Sequence, residues 1–442
     1  MSISPFDSAL YRDLFVEPET ARLFSDNAEI RAMMLVEGAL AKAQGGLGMI
    51  PETSGAFLHR AAMEIAVDPS GLARETGQNG VPVPALVAAM RDALDAPEHA
   101  QFLHWGATSQ DIIDTGLILR LRQALSLIEA HQVRLLRGLG ALAQTHADTP
   151  MAGRTYGQMA TPTSFGAVVA SWGWPHLGHL DRLDALRPRL LQVSLSGAAG
   201  TGAIFGKAGP ALRAALAEAL GLADPGHSWH STRDGIAELA GWLTLVAGSL
   251  GKLGEDLGLL AQSDTGEVRF GSAGASSTMP QKQNPVGASV LVALSQHVNA
   301  LNGAVQGAAL HRQQRDGAAW FTEWLSLPPM IMAVAKGLAL AADLMETLAP
   351  QTDRMAQNLA DPLDLIQAEA LSFALAAHLP RPDAQAVVKA LCAEATQSGT
   401  PLSALLARDH PGLDLTLPDP LGQAPAEARK FAAAVSGRAR DA

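Results

Sequence analysis

The stretch IAELAGWLTLV, residues 236–246, sets Ile236, Leu239, Leu243 and Val246 three or four positions apart, the spacing that lines up apolar side chains on one face of an α-helix. It lies in a window from Pro225 to Pro280 with no proline between its ends. Proline inside a helix costs roughly 3 kcal/mol, so its absence over so long a span is informative. A second gap, from Pro285 to Pro328, repeats the pattern with Val290, Leu294, Val298 and Leu301. A third proline-free segment runs from about Asp111 to Ala147. Rods of this length exceed the usual globular helix and call for a bundle in which they pack on one another. No alternation of apolar and polar residues marks a sheet core. The expected fold is all-α.

Outward from these rods the chain changes character. The last 93 residues hold nine of the 26 prolines between shorter helical pieces, which reads as a separate compact unit. Three helical domains are expected: a small N-terminal domain over 1–105, a central bundle of long helices over 106–355, and a C-terminal domain over 356–442. Very long helices with apolar stripes rarely bury themselves within one subunit, so a homo-oligomer is expected.

Composition narrows the functional classes. With 17% charged and 48% hydrophobic residues in 442, the chain is neither disordered nor a coiled-coil rod. A formal charge of -11 argues against general affinity for nucleic acid or an anionic membrane, and an anionic substrate would need a local positive pocket. The single cysteine, Cys392, excludes an internal disulfide framework and suits a reducing compartment. The opening MSISPFDSALYRDLFVEPET carries early acids and no continuous apolar run, unlike a signal peptide. The most apolar windows are interrupted by Glu238 and Lys336, so no membrane span is expected. A soluble cytoplasmic protein follows.

Four polar stretches interrupt the helical pattern. In GASSTMPQKQNP, residues 274–285, Asn284 followed by Pro285 signals a helix start. The free N–H groups of that helix would form an anion site, reinforced by Lys282. Ser276 and Ser277 approach it through a glycine-rich run, and a serine beside such a positive cluster can exchange a proton with a substrate carbon. HWGATSQDIIDTG, residues 104–116, contains a capping box from Thr108 to Asp111. Thr108 and Ser109 would offer hydroxyls and amides to a carboxylate, with His104 nearby. In GRTYGQMATPTSFG, residues 153–166, Arg154, Thr155 and Gln158 are candidate carboxylate donors. HRQQRDGAAWFTEW, residues 311–324, reads as the end of the long helix after the loop and offers Arg312 and Arg315. Two other signals fall away. SGAAGTGAIFGKAG, residues 196–209, does not spell the dinucleotide fingerprint and reads as close backbone packing. His176 with His179, and His227 with His230, lack the acidic spacing of a metal site.

Together these stretches resemble the fumarase/aspartase superfamily. SSTMPQKQNP is similar to its signature loop, and TSQD after His104 and the 153–166 stretch sit where its other two motifs lie. Within the superfamily, FVEPETARLFSD, HWGATSQDIIDTG, GAAGT and GAAWFTEW are most similar to the branch that cyclises a carboxylated muconate to a γ-lactone. The resemblance implies a mostly helical three-domain fold, a homotetramer whose active sites are shared between subunits, a small tricarboxylate substrate, and no metal or organic cofactor. It implies proton transfer by Ser276, assisted by Lys282. Substrate contacts would come from His104, Thr108, Ser109, Thr155, Gln158, Ser277, Met279, Asn284 and Arg312. The superfamily's lyases, such as adenylosuccinate and argininosuccinate lyases, are the alternative reading. They carry histidine where this chain has Tyr156 or Met159. Methionine moves no proton, and tyrosine, with a pKa of about 10, is a poor base at neutral pH.

Overall fold

The structure is a computed structural model that describes residues 4–271, 274, 275, 279, 282–411 and 417–441. Helices dominate it, for the reasons the proline gaps supply. Ser25 caps α1 (Asp26–Gly46) by accepting the Ala28 N–H at 3.3 Å, as a serine N-cap does. α2 (Glu52–Glu64) lies tightly against it: a Cβ on Gly55 would come within 2.6 Å of the Ala41 carbonyl oxygen. α3 (Val83–Leu94) follows. Five long helices complete the frame: α4 (Ser109–Thr145), α5 (Phe165–Leu190), α6 (Asp234–Leu260), α7 (Val286–Ala308) and α8 (Gly317–Thr347).

The expected stripes are the buried ones. Ile236, Leu239, Leu243 and Val246 on α6 are all at most 2% exposed. On α7, Val290, Leu294 and Val298 are buried and Leu301 is partly so. Two differences from expectation concern proline and the 311–324 stretch. α8 runs straight through Pro328 and Pro329, because buried Leu327, Met330 and Ile331 on either side anchor the helix and offset the lost backbone bonds. Residues 311–324 do not end the preceding helix. α7 stops at Ala308, Gln313 turns with φ 57°, and α8 begins at Gly317.

The chain divides into two compact units. The first comprises 1–132, 178–251 and 290–340, the second 133–177, 252–289 and 341–442. The first unit has a core that includes Met33, Leu40, Leu58, Leu86, Ile112, Val193, Leu212 and Trp320. The strands described in the second form short antiparallel pairs: β1 (Pro150–Thr155) with β2 (Gln158–Ser164), β3 (Val268–Phe270) with β6 (Leu348–Pro350), and β4 (Gly274–Ala275) with β5 (Gln283–Asn284). Its C-terminal helices α9 (Ala368–Leu375), α10 (Arg381–Ser398) and α11 (Leu402–Asp409) share a core of their own around Leu375, Ala384, Leu391 and Leu402. These two-stranded pieces are clips rather than a sheet core, and the fold is all-α.

α6 and α8 are long and apolar enough to cross a membrane by length and composition, contrary to the sequence expectation. In the fold, however, 56% and 67% of their most apolar windows are buried within the protein. That burial, together with the buried Glu323 on α8, marks them as core helices.

Candidate active site

The start of α4, in the first unit, is tied down by one carboxylate. Of the expected capping box one half forms: the Thr108 N–H donates to Asp111 Oδ2 at 3.1 Å, while the Asp111 N–H donates to the Thr108 backbone carbonyl at 3.0 Å rather than to its hydroxyl. Asp111 is fully buried and also accepts from the Ser196 N–H at 2.8 Å, the Gly197 N–H at 3.0 Å and His230 Nε2 at 2.8 Å. The glycine-rich 196–209 stretch is thereby fastened to the helix start, as close packing rather than as a cradle. Gly106 shows how close: a Cβ there would lie 2.3 Å from Cγ2 of Ile204.

His104 sits in the turn leading into α4 with φ 62°. The turn is held by Arg91 Nη2 on the Leu103 carbonyl at 3.0 Å and by Gln44 Nε2 on the Trp105 carbonyl at 2.7 Å. His104 Nδ1 meets Oε1 of Glu37 at 2.6 Å, and the Glu37 side chain is wholly buried. Burial works against the imidazolium, but the Glu37 hydrogen bond and charge, with Asp111 beyond, outweigh it and raise the His104 pKa above its ordinary value.

Around the same helix start, Arg315 Nε donates to Gln110 Oε1 at 2.7 Å and its Nη2 reaches Thr108 Oγ1 at 3.4 Å. Arg312, the residue the sequence reading favoured, has its guanidinium taken by Asp316, with Nη2 to Oδ1 at 3.0 Å. Ser109 is partly buried at the first helical position. Beneath them, Arg233 is fully enclosed and bridges two buried acids, Asp114 at 2.7 Å and Glu323 at 2.5 Å. Burial opposes the Arg233 charge, but the two carboxylates outweigh it and raise its pKa. Burial pushes Glu323 up, only partly offset by Arg233.

In the second unit, Thr155 and Gln158 face each other across the β1–β2 turn, whose central residues Tyr156 and Gly157 have φ 51° and 73°. Both at positive φ is the geometry of a type I′ hairpin. Tyr156 is fully exposed and Met159 largely so. Arg154 does not reach outward as a free carboxylate donor. It makes a two-pronged ion pair with buried Glu267, at 2.8 and 2.7 Å.

The signature stretch is pinned at its base, where Gly274 pairs with Asn284 and Ala275 with Gln283. Lys282 is exposed, and its N–H donates to the Met279 carbonyl at 2.9 Å; Met279 is itself exposed. The helix starts one residue later than expected, at Val286, with the Pro285 carbonyl accepting the Ser289 N–H at 3.1 Å. Ser276 and Ser277 lie outside the described residues. A cavity of about 800 Å³ in this unit is lined by Gln283, Arg269 and Arg354 and by none of the described residues read as substrate ligands.

Sequence reasoning missed Glu37 and undervalued Arg315. Glu37 stands 67 residues from His104, inside an ordinary helical stripe, so nothing local flags it. Arg315 and Arg312 look equivalent until Asp316 is seen to take one of them.

The fold and these motifs define a class, and the comparisons agree. A family model described as lyase matches residues 15–299. The chain belongs to this family, the fumarase/aspartase superfamily of the sequence reading. It is 40% identical over 407 residues to the 3-carboxy-cis,cis-muconate cycloisomerase of Pseudomonas aeruginosa, covering 90% of this chain and 88% of that one. A second relative of the same name, from Pseudomonas putida, is 38% identical over 90% of this chain and 96% of its own. The crystal structure of 3-carboxy-cis,cis-muconate lactonizing enzyme from Pseudomonas putida superposes with a TM-score of 0.90 at 36% identity, covering 97% of this chain and 99% of that one.

Proposed function

We propose that this chain is a cycloisomerase that interconverts 3-carboxy-cis,cis-muconate and 4-carboxymuconolactone, a step in protocatechuate catabolism. The observation that carries the reading is the near-complete coverage of named relatives at up to 40% identity. Cyclisation forms one C–O bond, as a substrate carboxylate oxygen adds to a conjugated double bond. The displaced electron pair moves onto the neighbouring carboxylate as an aci-carboxylate, and one proton then goes to the adjacent carbon. Nucleophile and leaving group are both carboxylates of the substrate, so the chemistry calls for neither metal nor organic cofactor. The protein's task is to hold three negative charges and deliver one proton.

In this reading Ser276 transfers the proton and Lys282 assists. His104, Thr108, Ser109, Ser277, Met279 and Asn284 contact the substrate, with Thr155, Gln158 and Arg312 in weaker roles. Arg315 joins them through its bonds to Thr108 and Gln110. The tyrosine and methionine at 156 and 159 suit a reaction whose leaving carboxylate needs no proton.

The three-domain division at 105 and 355, the homotetramer with shared active sites and the cytoplasmic location belong to the same proposal. Exposed Leu245 and Leu259 on α6, at 51% and 55%, support association through the long helices. A monomeric mass in sedimentation would overturn that part.

The primary test is loss of carboxymuconate ultraviolet absorbance on adding the purified protein, run beside adenylosuccinate. Turnover of the latter alone would replace this reading with the lyase one. Ser276→Ala is expected to lower turnover by about two to four powers of ten, as loss of acid–base catalysis does. Lys282→Met is expected to raise KM about tenfold, the worth of one charge-assisted hydrogen bond. Unchanged kinetics in either variant removes that residue from the mechanism.

A further inference from the structure

The contact between Glu37 and His104 has the marks of a functional device rather than of packing. A buried carboxyl is expensive unless every lone pair is satisfied. Yet among the described residues Glu37 Oε2 is buried without a partner, while Oε1 is spent on His104 at 2.6 Å. His104 itself occupies the left-handed region at φ 62°, a conformation that costs a non-glycine residue of order 1 kcal/mol and collects at functional sites. Gln44 from α1 and Arg91 from α3 hold the neighbouring carbonyls, so the strained turn is fixed on both sides. The His104 side chain is 21% exposed. Its Nδ1 is taken, and among the described residues its Nε2 has no partner.

We propose that Glu37 is a positioning residue: it holds a proton on Nδ1 of His104 and fixes the ring's orientation, so that the ring, when doubly protonated, presents Nε2–H to a substrate carboxylate. The carboxylate's role rests on the cycloisomerase reading; the pairing does not. Three charged groups bear on His104: Glu37 from α1 and Asp111 from α4 favour the imidazolium, and Arg91 from α3 opposes it. Their balance keeps His104 cationic to higher pH than a free imidazole. The buried Glu37 thus favours a charged N–H donor at His104 for a triply negative molecule, in a chain whose overall charge is -11.

The test uses the full-length protein and nitrogen NMR of His104, assigned with His104→Gln. In the unaltered protein, the neutral ring at high pH is expected to keep its proton on Nδ1. A neutral ring protonated on Nε2 overturns the proposal without any variant. Glu37→Gln, which keeps the side chain's shape, is expected to lower the His104 pKa. It should also weaken binding of tricarballylate, an unreactive tricarboxylate probe, about tenfold, the loss of one charge-assisted bond. That weakening should be greatest between the two proteins' His104 pKa values. It should fade below both, where each ring is charged, and above both, where neither is. An unchanged pKa, or a lowered pKa with unchanged tricarballylate binding, overturns it. Absence of carboxymuconate turnover in the unaltered protein would sink the cycloisomerase reading separately, because the NMR and tricarballylate results do not depend on turnover.

Discussion

His104 and Tyr156 share a backbone conformation that L-residues avoid, with φ 62° and 51°, and little else. His104 is clamped in the first unit between the buried Glu37 and Gln44 and the exposed Arg91. Tyr156 stands fully exposed at the tip of a hairpin in the second. One strained residue is held because its side chain is held. The other is strained because a two-residue turn demands positive φ at both positions, whatever side chain occupies them. Strain alone therefore does not identify a functional residue; strain joined to a buried, half-satisfied partner does.

The comparison can be broken in three places. The largest effect is expected at the foundation of the clamp. Asp111→Ala strands the donors of Ser196, Gly197, Thr108 and His230, and breaking a buried charge of this kind costs about 3–5 kcal/mol. Urea unfolding measures it, and a loss well under that range would mean the helix start is not fastened as described. Next comes His104→Gln, expected to lower kcat/KM about tenfold to a hundredfold through lost charge-assisted binding. In the unaltered protein, kcat/KM should decline as pH rises through the His104 pKa, because the deprotonated ring no longer offers a cation. That pKa lies above the ordinary histidine value. A profile that stays flat there would make His104 no better than Tyr156. The smallest effect is at the hairpin. Tyr156→Asn is expected to stabilise the protein by up to about 1 kcal/mol, since asparagine tolerates left-handed backbone better than tyrosine. A thermal scan showing destabilisation would mean the tyrosine side chain has a task of its own.

Much of this was legible beforehand, and the reason is local. Helix periodicity, the capping box at Thr108 and Asp111, and the helix start after Asn284 are all encoded within a few residues of where they act. The same local reasoning is silent on the helix passing through Pro328 and Pro329, because the buried neighbours that compensate for a helical proline come from the tertiary packing. It also left Arg154 free for substrate when Glu267 takes it.

From the sequence alone came an all-α chain of long rods, the four polar stretches and the family they signal, because periodicity, proline and capping act between near neighbours. Only the tertiary structure could join Glu37 to His104, Arg233 to Asp114 and Glu323, and Asp111 to the glycine-rich loop. Those partners are separated by 67 to 119 residues. A charge buried at such separations is paid for by a partner that only the folded chain brings within hydrogen-bond reach.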